Sequence, residues 1–216
     1  MHISLSRLFK GLSLLALTMF VLSALVLISA KAAGASILSD SLEQSNSTAN
    51  VPLNSFTFNL VPSSPAIKAC LPHASGSVTI IPNSLNDTME VHVSGLAPQT
   101  GYDLFVIQLP GKPFGVSWYQ SDLQTDNSGA GSVTVQGIFN KETFSISTGG
   151  TTTFGATHQY HLGLWFNDPQ VPFKLGCEPG ATSPIVTPFN GEQHAGIQVL
   201  NTSNFPDNAG PLSHVS

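Results

Sequence analysis

The histidines, the tryptophans with their neighbouring tyrosines, and two cysteines are the side chains of this 216-residue chain with the most chemistry to offer. Imidazole is a common zinc ligand, so His158, His161 and His194, joined by a carboxylate from Asp168 or Glu192, form a candidate metal site. Such a site would make the chain a secreted metal-binding protein or a metal-dependent enzyme. The spacing sets a condition, because positions i and i+3 of a strand point to opposite faces. His158 must then lie in the loop before the strand that carries His161. Trp118, Tyr119 and Trp165, with Phe114, Tyr160 and Phe166 nearby in type, form a candidate binding surface. Such side chains are enriched at interfaces and suit sugars and apolar ligands. The competing role for each is to fill a core. Trp118 and Tyr119 are adjacent on an expected strand, so one of them must point outward. Asp122, Asp126 and Asn127 beside Gly129 lack the order of an EF-hand loop. Asp and Asn serve a tight turn there.

Other chemistries find no support. Serine never occurs in Gly-x-Ser-x-Gly, and neither a phosphate loop nor a dinucleotide fingerprint is present. The expectation is a non-enzymatic protein that uses no cofactor. Beyond Ala32 the chain has four lysines, no arginine and all twelve of its acidic residues. Nucleic-acid binding relies on Lys and Arg against phosphates, so it is excluded, and phosphorylated ligands are disfavoured.

These residues need elements to position them. Arg7 and Lys10 precede an uncharged apolar run from Gly11 to Ala30, which leads to Ala-x-Ala exits ending at Ala32 and Ala35. These are the parts of a secretory signal, and the run is also long enough for an uncleaved anchor. Residues 1–35 are therefore expected as a signal peptide or membrane-anchor helix, and residues 36–52 as a flexible polar spacer. Either way the remainder is secreted or extracellular, touching a membrane only through the N-terminal segment.

Beyond the spacer, helical periodicity gives way to short runs of β-branched and aromatic residues punctuated by Gly, Pro and Asn. Strands are expected at Phe56–Leu60, Ser77–Ile81, Met89–Val93, Tyr102–Leu109, Val116–Gln120, Gly131–Phe139, Thr143–Ser147, Gln159–Phe166 and Gly196–Leu200. Met89, Val91 and Val93 alternate with Glu90 and His92, giving one buried and one wet face. Asp126-Asn-Ser-Gly129 has the residues of a tight hairpin turn. Cys70 and Cys177 lie in the exported part, where a disulfide is the natural pairing.

Val93-Ser-Gly-Leu-Ala-Pro-Gln-Thr-Gly-Tyr-Asp-Leu-Phe-Val106 resembles the Leu-x-Pro-x-Thr-x-Tyr corner of fibronectin type III and related immunoglobulin-like modules. The resemblance implies that Leu96, Pro98 and Tyr102 build a corner at which the chain crosses between sheets, the Tyr hydroxyl bonding back upstream. It covers about fourteen residues. The chain departs from the family in having no Trp upstream of the corner and a long β-rich continuation after it. The implied fold is an all-β, antiparallel immunoglobulin-like β-sandwich of about eight or nine strands. Residues 53–216 would form that single domain, ending in an irregular tail. Modules of this kind in exported bacterial proteins often bind or space. The functional expectation is a cell-surface or extracellular binding or structural module for an unidentified protein or carbohydrate, with a carbohydrate-binding module as a specific alternative.

Overall fold

Strands form where apolar and polar residues alternate. The computed structural model describes residues 54–139, 144–188 and 194–215. The expected signal or anchor helix, the spacer and Glu192 lie outside the described residues. β1 (Phe56–Pro62), β2 (Ser75–Ile81) and β3 (Asp87–Ser94) run as an antiparallel meander. In β3, Met89, Val91 and Val93 are buried while His92 is exposed, as the alternation requires. β4 (Gly101–Ile107), β5 (Ser117–Gln124) and β6 (Gly131–Gly137) follow. After them come β7 (Phe144–Thr148), β8 (Thr151–Gly155), β9 (His161–Phe166) and β10 (Gln198–Asn201). Eight strands make one nearly closed antiparallel sheet in the order β5-β4-β9-β10-β1-β2-β3-β6, and β7 and β8 pair as a separate hairpin. The protein is all-β in its described body, and residues 47–216 belong to one compact unit.

The eight strands fall into two halves joined through β1. Its residues Phe56–Leu60 pair with β2, whereas Val61 and Pro62 pair with β10. One apolar core takes Val78, Met89 and Val91 from the first half and Tyr102, Leu104, Leu162 and Leu164 from the second. The chain crosses between halves at the segment Leu96–Tyr102. There the Tyr102 hydroxyl accepts the Ala97 N–H at 3.1 Å, and burial raises the phenol's pKa well above its ordinary value of 10.0. The return crossing is the β5–β6 turn. Asp126 Oδ1 accepts the Ser128 hydroxyl and N–H, each at 2.7 Å, and the Ala130 N–H at 3.1 Å. These bonds, the Ser128 hydroxyl first, lower the pKa of its carboxyl. Gly129, at φ +77°, backs so closely onto the Leu96 carbonyl that a Cβ would collide with it.

Two short helices supplement the strands. α1 (Pro65–Cys70) starts on a Ser64 cap whose side chain accepts the Ile67 N–H, with Pro at its first turn, and buries Ile67. α2 (Gln170–Lys174) follows β9. Neither helix, nor β8, follows from the periodicity, because each is too short to display one. Cys70 at the end of α1 is bonded to Cys177 beyond α2, with Cα atoms 5.2 Å apart. The bridge thus ties the β1–β2 connection to the β9–β10 connection. Among the described residues no helix is long and apolar enough to cross a membrane.

Candidate functional site

The outward face of the β5-β4-β9-β10 half is set by strand register. Tyr119 of β5 stands opposite Phe105 of β4, which stands opposite Gly163 of β9. One row along, Asp103, Trp165 and Gln198 are neighbours, and Ile107 faces His161. A second, smaller core forms here from Phe105, Ile107, Phe114, Trp165 and Ala195. Phe114, at φ +64°, comes from the loop after β4, where Leu109 N–H bonds to its carbonyl at 2.8 Å. Gly163 leaves room for the Trp165 indole, which would otherwise meet a Cβ. The rings pack edge to face: Phe114 to Trp165 at 5.1 Å, Trp165 to Phe105 at 5.4 Å, and Phe105 to Tyr119 at 5.7 Å. Trp165 is fully buried within this row and is not part of a surface. That corrects its expected role as a binding residue. The two nearby loops, around Phe114 and Ala195, cover the face on which β9 alternation places it.

Trp118 and Tyr119 emerge on β5. A register shift in the β4–β5 pairing, between Leu104 and Phe105, brings Tyr119 opposite Phe105 and Trp118 opposite Val106. The pair therefore projects to opposite faces of one strand, with Trp118 52% and Tyr119 41% exposed. The Tyr119 hydroxyl donates to Asp122 Oδ1 at 2.7 Å, and its ring ends the buried row. Tyr119 thus has a fixed root beneath an accessible edge.

A cleft of about 310 Å³ opens at the same end of this half, where β4 finishes and β5 begins. Gln108, Leu109, His158, Asp207 and Asn208 line it. Gln108 Oε1 accepts the Val116 N–H at 3.2 Å, joining the cleft floor to the start of β5. His158 holds φ +55°, and its Nδ1 lies 3.2 Å from the Tyr160 hydroxyl. The opposite wall is pinned by buried His161. Its Nε2 faces the Asp207 carbonyl at 3.1 Å and must donate, so Nδ1 accepts from the Thr202 hydroxyl at 2.8 Å. Burial lowers its pKa from the ordinary 6.5, outweighing the Asp207 carbonyl and charge, which pull upward.

His158, His161 and His194 do not converge. Among the described residues no group of three His, Cys, Asp or Glu side chains can hold a metal ion. His158 does lie in the loop before β9, as a shared site would demand, but both ring nitrogens of His161 are engaged by the protein, and His194 is exposed. Asp122 and Asp126 likewise spend their carboxylates on Tyr119 and on the hairpin turn. The cleft itself carries no sequence signal, since its residues come from separate connections and share no spacing. A second hollow of about 490 Å³, lined in part by Leu60, Ser77, His92 and Ser94, opens where β1 leaves β2 and includes no aromatic ring apart from His92. No family model matches the sequence, and no curated protein matches it significantly.

Proposed function

We propose that this is an exported, non-enzymatic binding module whose contact surface is the β5 strand bearing Trp118 and Tyr119. The observation that carries this reading is the exposure of both aromatic residues on one edge strand, with Tyr119 rooted in a buried aromatic row. Aromatic side chains of this kind supply contact area at little entropic cost. The Cys70–Cys177 disulfide fits an oxidising compartment outside the cytoplasm, in keeping with the N-terminal signal or anchor. Two facing halves and the Tyr102 corner support an immunoglobulin-like sandwich architecture. The connectivity is the chain's own, because neighbouring β2 and β3 are also consecutive in sequence.

The test is binding of the labelled protein to arrays of extracellular polysaccharides and cell-surface proteins. A Trp118→Ala/Tyr119→Ala double variant is expected to lose at least about tenfold in affinity while keeping its fold. Hydrolysis of any array component that disappears on mutation of a polar cluster would overturn the reading, as would binding indifferent to both aromatic residues.

A further inference from the structure

We infer that the cleft between Gln108 and Asn208 is a subsite for a neutral saccharide, a conclusion that rests on the binding-module reading and specifies its ligand. The lining has the mixed character that sugar hydroxyls require, since each hydroxyl both donates and accepts. Gln108 and Asn208 bring amides, Asp207 a carboxylate and His158 an imidazole, while Leu109 offers an apolar patch to the C–H face of a ring. Gln108 Oε1 accepts from the Val116 N–H, which anchors one lining amide, and the donor end of that amide is Nε2. Neither Lys nor Arg lines it, so an anionic ligand would meet Asp207 without a balancing guanidinium or ammonium. At about 310 Å³ the cleft matches the small end of ligand sites, room for one or two sugar units.

The walls are set before any ligand arrives. His161 holds the Asp207 carbonyl, and Ala209 N–H closes a turn onto the Pro206 carbonyl at 2.9 Å. On the other side His158 keeps a left-handed backbone, an uncommon conformation for a residue other than glycine, with its ring 5.4 Å from that of Tyr160. A site whose walls are already held by hydrogen bonds loses little on ligand ordering. A longer glycan leaving the cleft along the outward face of β5, whose strand starts beside Gln108, would reach Tyr119.

The experiment is calorimetric and NMR titration of the purified protein. The probes are glucose, N-acetylglucosamine, cellobiose and diacetylchitobiose, with choline and inorganic phosphate as the charged alternatives. At least one saccharide is expected to bind, with Asp207→Ala and Asn208→Ala each weakening it about tenfold. Tyr119→Ala is expected to affect a disaccharide more than its monosaccharide, and Thr134→Ala on the opposite half to change nothing. Binding of none of the saccharides, preference for choline or phosphate, or saccharide binding untouched by Asn208→Ala would each overturn the assignment. If array binding still depends on Trp118 and Tyr119 while the cleft variants are silent, the saccharide subsite falls and the binding module stands.

Discussion

The outward faces of the two halves are built on opposite terms. Over β4, β9 and β10 the chain buries Asp103, His161, Trp165, Gln198 and Asn201 on what would otherwise be the solvent side. Over β1, β2, β3 and β6 the outward positions carry Thr57, Thr79, Glu90, His92, Ser132 and Thr134, exposed or half-buried. On that half small hydroxyls pair across strands, as Thr57 does with Thr79 at 2.8 Å and Ser75 with Ser94 at 3.0 Å. Short polar side chains satisfied by neighbours and water need no cover. A tryptophan and a set of buried amides do need it, and loops supply it. The aromatic row and the cleft beside Gln108 lie on the covered half, whereas the hollow beside His92 on the open half has walls of small and aliphatic residues.

Trp165→Ala tests that contrast most severely. It removes the ring against which Phe105 and Phe114 pack, and a loss of ~3–5 kcal/mol is expected in urea unfolding. Opening the Cys70–Cys177 bridge, which spans 107 residues of sequence, should cost up to ~4.7 kcal/mol, measured as the shift in unfolding midpoint under reducing conditions. Tyr102→Phe leaves the buried Ala97 N–H without its acceptor and should cost about 1–3 kcal/mol, with the strands retained by circular dichroism. Acid probes the covered half through His161. Since burial holds His161 below 6.5, the unfolded chain binds more protons than the folded one from that value downward. Its contribution to stability is whole above 6.5 and is lost as pH falls toward the folded pKa, and the melting temperature should decline with it. A His161→Gln variant should show a shallower decline over the same window. Thr134→Ala on the open half should lie within about 0.5 kcal/mol of the parent, and a larger loss there would erase the distinction between the faces.

Most of the sheet was readable from alternation. Met89, Val91 and Val93 point inward as a period of two demands, and the Leu96–Tyr102 segment contains the hydroxyl-to-backbone bond that its residues suggest. Cys70 and Cys177 could be paired because no other cysteines compete. Trp165 shows where the pattern stops. Alternation places it opposite to Leu164 and Phe166 correctly, yet cannot reveal that loops from distant parts of the chain close over that side. Trp118 and Tyr119 were marked by adjacency alone, which guarantees one outward side chain; the shifted β5 register and the edge position expose both. Nothing local marks the cleft, because Gln108, His158 and Asp207 meet only through tertiary packing.

β10 is the last of the described strands in sequence order, and it stands between β9 and β1 in the middle of the sheet order. During folding, β1-β2-β3-β6 and β5-β4-β9 can each pair from residues that precede β10, but their hydrogen-bonded junction waits for that strand. Such non-local closure makes for slow folding. A chain cut short before Gln198 would keep both partial sheets and expose the edges that β10 normally covers, the kind of edge that recruits other strands. β10 is thereby the clasp of the sheet, since without it the facing edges of β9 and β1 have no strand between them.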